Sequence, residues 1–171
     1  MLNKLNSIGS SAGYWLALFM LGFLMEGTAL FYQYVLNYYP CVLCIHVRIW
    51  VAGIMLLALL GLVVRKNRFL RTGSHALSVV MMAGLLERSW MLLGTERGFV
   101  EGSCDFDLGL PAWLALDVWF PGIFKVWEAC GYTPELLFGV SMAEGLMAIS
   151  PILVLGTIVL TVATVLGNDT D

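Results

Sequence analysis

Four long apolar stretches leave this chain few possible folds. They cover about residues 14–34, 44–64, 72–93 and 136–166. Each reaches the roughly 20 apolar residues that a helix needs to cross about 30 Å of hydrocarbon. Only 12% of the residues are charged, whereas a soluble domain carries about 25%. Residues 1–171 are therefore predicted to form one membrane domain, an all-α integral membrane protein built as a four-transmembrane-helix bundle.

The first stretch has the length of a span but lies where a signal peptide would lie. Its only early cation is Lys4, and the apolar run continues past Glu26 with no small-residue cleavage site behind it. We therefore expect the first stretch to be retained as a span.

Lysine and arginine residues predict the orientation of the bundle. The link over about residues 65–71 holds four cations, namely Arg65, Lys66, Arg68 and Arg71. The link over 35–43 holds no cation, and the long link over 94–135 is mainly acidic. Because cytoplasmic links carry the excess of Lys and Arg, we predict that the 65–71 link and both termini are cytoplasmic. The other two links then face the outer side.

All four cysteines fall on the predicted outer side, where an oxidising compartment lets disulfides persist. They are Cys41, Cys44, Cys104 and Cys130. Of the three possible pairings, the spacing favours Cys41–Cys44 and Cys104–Cys130. Taken alone, the second pair also fits a structural staple of the long loop. No metal site is expected, because the loop cysteines are spaced far wider than a zinc knuckle.

The segment around the first cysteine pair favours a reactive thiolate. Pro40 limits helix extension, so the second span should begin near Cys41 and place Cys44 in its first turn. Arg48 lies four residues after Cys44, on the same helix face, and is the only formal charge of that span. Helix N-termini, nearby cations and Cys-x-x-Cys spacing all favour thiolates. The alternative for Arg48 is snorkelling to the interface.

Five charged residues interrupt the apolar spans, all in the predicted outer half of the membrane. They are Glu26, Arg48, Glu87, Arg88 and Glu144. Each one alone fits a snorkelling or ion-paired residue, although ionisable groups inside spans are often functional. Together they predict a polar pocket beside Cys44 for a lipid-soluble acceptor with carbonyl oxygens, a description that fits a quinone.

Aromatic residues are dense in the long loop, between about residues 111 and 127. This segment is too short and too interrupted to span a membrane. Trp, Phe and Leu favour the interfacial zone, so we expect a short helix lying on the membrane surface. The alternative is a cap packed over the mouth of the bundle.

The sequence as a whole resembles the disulfide bond formation protein B (DsbB) family of bacterial inner-membrane oxidases, over essentially its full length. The matching residues are Trp15-Leu16, Glu26, Thr28-Ala29-Leu30, Gln33, Pro40-Cys41-Val42-Leu43-Cys44-Ile45, Arg48, Cys104-Asp105-Phe106, Pro111, Trp113-Leu114, Leu116-Asp117, Trp119, Pro121, Phe124 and Cys130. The stretch Gly94–Ser103 departs from the family pattern, and Glu87 precedes Arg88 where the family suggests a neutral residue.

The resemblance implies a relay of electrons through the two cysteine pairs. The family reoxidises the periplasmic dithiol oxidase DsbA and passes the electrons to ubiquinone, or to menaquinone without oxygen. By similarity, the reduced partner would attack the Cys104–Cys130 disulfide and form a mixed disulfide with Cys104. Cys130 would then attack Cys41.

The resemblance also implies a quinone site. Cys44 would be the thiolate in contact with the quinone, and Arg48 would polarise the quinone and stabilise that thiolate. Glu26 and Arg88 are the further predicted cofactor-binding residues. The implied setting is the bacterial inner membrane, with the lipid bilayer, the quinone pool and a DsbA-like oxidase as partners and no nucleic acid.

Three other functions fit parts of the pattern. A membrane scaffold or quinone-binding protein with static disulfides would carry the same cysteines. A relative that serves a different, dedicated periplasmic oxidase would have the same sequence features. A quinone reductase similar to vitamin K epoxide reductase also combines four spans with a Cys-x-x-Cys pair. That family places the pair near its last span, whereas here the pair opens the second.

Overall fold

The structure is a computed structural model that describes residues 2–100, 107–137 and 139–167. In chain order its elements are α1 (Leu2–Ser10), α2 (Ala12–Tyr34), α3 (Val42–Val64), α4 (Arg68–Arg97), a 3-10 turn (Ala112–Leu114), α5 (Leu116–Trp119), α6 (Pro121–Phe124), β1 (Glu135–Leu137), β2 (Val140–Ser141) and α7 (Met142–Leu166). The four helices α2, α3, α4 and α7 are long and apolar enough to cross a membrane. The predicted all-α four-helix membrane bundle is therefore confirmed.

The helix ends differ in places from the predicted span ends. Helix α4 exceeds the predicted third span at both ends, because Asn67 caps its start and Gly98, at φ 74°, terminates it in a left-handed conformation. The fourth span was predicted from about residue 136, but α7 begins only at Met142. The antiparallel strands β1 and β2 precede it, and Ser141 caps its first turn. Helix α1 was not predicted.

Large apolar side chains cover the outward faces of the long helices. Leu24, Val63, Phe69, Ile152 and Leu155 are between 62% and 86% exposed. Soluble monomers rarely expose such a continuous apolar surface, and hydrocarbon chains suit it. Burial and exposure together therefore match a bundle that lies in lipid.

Close approaches between helices depend on glycine. A Cβ atom at Gly61 of α3 would lie 2.3 Å from the ring of Trp15 on α2, and one at Gly84 of α4 would lie 2.6 Å from the ring of Trp50 on α3. In membranes, small residues at helix contacts let large neighbours pack closely. Both Gly61 and Gly84 are thus positions where a ring of one helix lies on the backbone of the next.

The helices form an incomplete ring. Helix α3 packs between α2 and α4, and α4 packs against α7, whereas α2 and α7 barely touch each other. Helix α1 packs mainly on α7, and its Gly9 carbonyl accepts a hydrogen bond from the buried His75 of α4 at 3.1 Å. The end of the bundle where α3 begins, which we call the cysteine end, holds a cavity lined by α2, α3 and α7.

In its described part from residue 107 onward, the loop between α4 and α7 forms single turns instead of one surface helix. Pro111 and Pro121 lack the backbone N–H that a continuous helix needs. Turn α6 packs against α3, as expected of a cap over the bundle, while Trp113 and Trp119 remain 74% and 55% exposed. The loop therefore combines features of both predicted arrangements, cap and surface element.

Candidate functional site

Cys41 and Cys44 lie at the N-terminus of α3. Cys41 is the N-cap residue, with φ −82° and ψ 171°, and its sulfur accepts a hydrogen bond from the Cys44 backbone N–H at 3.4 Å. The two Sγ atoms are 2.8 Å apart, longer than the about 2.05 Å of a disulfide bond. The structure thus describes the pair as neighbouring thiols, and the Cys41–Cys44 disulfide stays a prediction.

Cys130 lies against the same pair, because its thiol is hydrogen-bonded with that of Cys41. The segment before it is joined to the link ahead of α3, since the Trp127 backbone N–H donates to the Pro40 carbonyl at 3.1 Å. The rings of Tyr39 and Trp127 are also in contact, with centroids 5.9 Å apart. Three of the four predicted redox residues therefore meet at the cysteine end.

Cys104 lies outside the described residues. Its predicted disulfide with Cys130 therefore stays a prediction. In the described part of that loop, which starts at residue 107, Leu108 is anchored on α3, because its carbonyl oxygen is 2.9 Å from His46 Nε2. This contact fixes the loop four residues beyond Cys104 at the cysteine end.

The surroundings of Cys41 favour its protonated form. The hydrogen bond with Cys130 lowers the pKa of Cys41, but the contact with Cys44 and burial raise it, and the pKa is raised to about 12. A thiol that holds its proton this firmly is a poor leaving group. In exchange at this pair, Cys41 is therefore suited to be the sulfur that is attacked and Cys44 the one that leaves.

Arg48 points into the bundle and is only 6% exposed. Its guanidinium donates to Gln33 Oε1 at 2.6 Å, to the Ile123 carbonyl at 2.9 Å and to the Ala29 carbonyl at 3.1 Å. All three acceptors are uncharged, so none of these hydrogen bonds pairs Arg48 with a negative charge, and Glu26 is the carboxylate that attracts it across the site. A guanidinium has five N–H donors, and two of them are available to a further acceptor.

Glu26 is the second charged residue inside this part of the bundle. Both of its carboxylate oxygens are buried, and neither has a hydrogen-bond partner among the described residues. Buried polar atoms are nearly always satisfied. An orphaned carboxylate facing the same space as Arg48 therefore points to a site that holds water or a ligand.

A cavity of about 300 Å³ connects these groups. It lies in the gap between α2 and α7, with α3 behind it and the loop above it. Arg48 and Glu26 supply the charged groups and Cys44 the thiol of a mainly apolar wall. The remaining lining residues are Leu24, Met25, Thr28, Ala29, Tyr32, Tyr38, Tyr39, Pro40, Val47, Val51, Leu92, Tyr132, Pro134, Leu136, Met142, Gly145, Leu146 and Ile149. Because Leu24 and Ile149 are also exposed on the outer surface, the cavity reaches the lipid-facing side.

The other charges of the spans do not reach this cavity. Arg88 pairs with its neighbour Glu87 at 2.9 Å, and both side chains are partly exposed. Glu144 completes the capping box of α7 with Ser141 and forms an ion pair with Arg97. The predicted pocket of five charges is therefore built from Glu26 and Arg48 alone, and the structure does not bring Arg88 to it.

Gln33 contributes to the site although sequence reasoning assigned it no role there. Its amide contacts Arg48 through Oε1 and the Gly122 carbonyl of α6 through Nε2. One signal was available in the sequence, since Gln33 is an amide inside a mainly apolar span, one helical turn after Ala29. The loop carbonyls at residues 122 and 123 carried no such signal, because any residue type supplies a carbonyl.

The family model described as "Disulfide bond formation protein DsbB" matches residues 11–160 of the chain. The chain belongs to the DsbB family. With its four apolar helices, this DsbB family member is a multi-pass membrane protein with an oxidoreductase role in disulfide bond formation.

Similar DsbB proteins come from several bacteria. "Disulfide bond formation protein B 2" of Pseudomonas aeruginosa is 32% identical over 139 residues, which cover 80% of this chain and 82% of that protein. "Disulfide bond formation protein B" of Yersinia pestis is 31% identical over 151 residues, covering 87% and 85%. The Photorhabdus laumondii protein of the same name is 29% identical over 152 residues, covering 87% and 88%.

Proposed function

We propose that this DsbB family member reoxidises a periplasmic dithiol oxidase similar to DsbA and delivers the electrons to a membrane quinone, ubiquinone or menaquinone. The observation that carries the proposal is the cavity that Cys44 and Arg48 share, next to a Cys41 that touches Cys130. Two electrons and two protons leave the partner's dithiol and end on the quinone, which departs as quinol.

The electrons enter through Cys104 and Cys130 in this proposal. A partner thiolate attacks the Cys104 sulfur of the Cys104–Cys130 disulfide and releases Cys130. Cys130 attacks Cys41, which breaks the Cys41–Cys44 disulfide and releases Cys44 as a thiolate. The partner's second thiol displaces Cys104, and Cys104 then attacks Cys130 to restore the loop disulfide. Cys41 and Cys44 are left as the reduced pair.

The geometry at the cysteine end supports the central exchange. Cys130 already lies against Cys41, so the attack requires no large rearrangement of the described segment. The leaving sulfur, Cys44, is in the first turn of α3, where the helix dipole stabilises negative charge. The raised pKa of Cys41 makes its sulfur the poorer leaving group, which also favours release of Cys44.

The cavity residues fit a quinone. A volume of about 300 Å³ is at the lower end of small-molecule pockets, which run from about 300 to 1,000 Å³. The two unused donors of Arg48 suit a carbonyl oxygen, and the orphaned carboxylate of Glu26 suits a hydroxyl or a proton in transit. The gap between α2 and α7 gives an apolar tail a route into lipid.

We also propose the setting of the protein. The bundle would lie in the bacterial inner membrane as one domain, with the cysteine end toward the periplasm. The link after α3 and both termini would be cytoplasmic. Arg65, Lys66, Arg68 and Arg71 support this orientation, because cytoplasmic ends of spans carry the excess of positive charge.

Turnover of the purified protein tests the proposal. Protein in detergent is mixed with a reduced DsbA-like oxidase and a short-chain ubiquinone, and loss of quinone absorbance is followed. We expect turnover that disappears in Cys44→Ser and persists in Ser89→Ala, which removes a buried hydroxyl outside the cavity. If the unaltered protein reduces no quinone with any dithiol oxidase, the static scaffold is the better explanation.

A further inference from the structure

Turn α6 is held on the bundle by side chains from α2 and α3. The Gly122 carbonyl accepts hydrogen bonds from Tyr34 Oη at 2.6 Å and from Gln33 Nε2 at 3.2 Å. The next carbonyl, that of Ile123, accepts one from Arg48 at 2.9 Å. We call these five residues the α6 clamp. Arg48, which lines the cavity, is thus also one of the groups that hold the loop.

The side chain of Gln33 contacts both the cavity residue Arg48 and turn α6. It is 6% exposed, and its carbonyl end accepts from Arg48 while its amino end donates to Gly122. A side-chain amide offers an acceptor oxygen and a donor nitrogen on one short, uncharged, planar group. A carboxylate would lose the donor, and an aliphatic side chain would lose both contacts.

The loop between α6 and Cys130 is short, and it is held at two points although most of its residues are exposed. Phe124 and Val126 are buried in the core cluster, both 8% exposed. One residue further on, the Trp127 backbone N–H donates to the Pro40 carbonyl, directly ahead of Cys41. The position of α6 therefore constrains where Cys130 lies. If α6 lifted away, Arg48 would lose its bond to Ile123, and Gln33 would lose its anchor at Gly122.

We infer that Gln33 is a positioning residue that links the docking of α6, and with it the approach of Cys130 to Cys41, to the orientation of Arg48 at the cavity wall. The inference rests on the proposed function, in which exchange between Cys130 and Cys41 is followed by electron transfer at the cavity beside Arg48. Its consequence is that Arg48 is held in its cavity orientation when the incoming thiol is in place. Loss of either contact of Gln33 is therefore expected to affect both the docking of α6 and the orientation of Arg48.

Disulfide trapping between Cys41 and Cys130 measures docking without any quinone or partner. In a Cys44→Ser, Cys104→Ser background only Cys41 and Cys130 can pair, and a soluble oxidant drives that pairing. We expect Gln33→Leu and Arg48→Met each to slow the pairing by about tenfold, as a lost hydrogen bond to a charged group would. Ser89→Ala, outside the clamp, should pair at the unaltered rate.

A double variant tests whether the two residues act as one unit. Residues in one hydrogen-bond network give non-additive effects, so Gln33→Leu with Arg48→Met should slow pairing no more than either change alone. Slowing of about a hundredfold, the product of two independent effects, would overturn the linkage. Unchanged pairing in Arg48→Met would overturn it as well, even if that variant used quinone poorly.

Tyr34→Phe covers the case in which the buried substitutions disturb folding. It removes one hydroxyl from an exposed ring and leaves the core intact. We expect pairing to slow by about threefold, as the loss of one neutral hydrogen bond predicts, and no slowing would show that the clamp does not hold α6. Slowed pairing in a protein that never reduces quinone would leave the linkage standing and refute the proposed function instead.

Discussion

Replacing Arg48 by methionine should weaken quinone use much more than it disturbs the bundle. Methionine fills a large part of the same buried space but carries no charge or donor. In the structure three donors of Arg48 are taken by Gln33, Ile123 and Ala29, which leaves two for a quinone carbonyl. A hydrogen bond from a charged group contributes about 1.5–3 kcal/mol. Its loss corresponds to a roughly 10- to 150-fold rise in the apparent KM for quinone.

The assay measures initial rates of quinone reduction at saturating reduced partner while the quinone concentration is varied. Arg88→Met is the matched control, because it makes the same substitution at an arginine that pairs with Glu87 and lies outside the cavity. The control should change KM by less than about twofold, or under about 0.5 kcal/mol, because Arg88 is not among the residues that line the cavity. Equal KM increases in both variants, or an unchanged KM in Arg48→Met, would refute the placement of the quinone beside Arg48.

The remaining predictions concern packing, thiol chemistry and helix capping. Gly61→Val should lower the Tm in detergent, at a cost of about 1–3 kcal/mol for overpacking, because its Cβ would meet the Trp15 ring at 2.3 Å. Gly73→Val, at a position with open space around it, is the control, and equal Tm shifts would contradict the packing argument. In the reduced protein at pH 8, Cys41 should react with iodoacetamide more than about a hundredfold more slowly than a free cysteine, since its pKa is raised to about 12. Mass spectrometry of the alkylated peptides measures this, and an ordinary rate would mean that the pKa is not raised. Ser141→Ala should cost about 1 kcal/mol through loss of the capping box of α7, and an unaltered melting curve would show that the helix start does not depend on that cap.

The sequence predicted the parts of this protein that depend on short stretches of chain. The four spans follow from apolar length, which the bilayer thickness fixes and which requires no knowledge of neighbouring helices. The start of α3 at the Cys41–Cys44 pair follows from Pro40 and from the preferences of helix ends. Arg48 one turn after Cys44 follows from helix geometry alone.

The sequence was less informative about which polar groups meet. In the sequence, Glu87 and Arg88 are charged residues within an apolar span, as Glu26 and Arg48 are. In the structure, Glu87 and Arg88 pair with each other, whereas Glu26 and Arg48 face the cavity. Helix rotation decides this difference, and rotation depends on how all the helices pack. Short-range features did not predict α1 either, and in the structure this helix packs mainly on α7.

The tertiary structure also decided the surroundings of the reactive pair. Cys130 contacts Cys41, and the Ile123 carbonyl contacts Arg48, although the partners are 75 or more residues apart in sequence. Contacts of that kind depend on how a loop folds back over the bundle, and a backbone carbonyl carries no residue-specific signal. The Cys-x-x-Cys segment was therefore evident from sequence, whereas the contact of Cys130 with Cys41 and the contacts of Gln33 and α6 with Arg48 are set by packing in three dimensions.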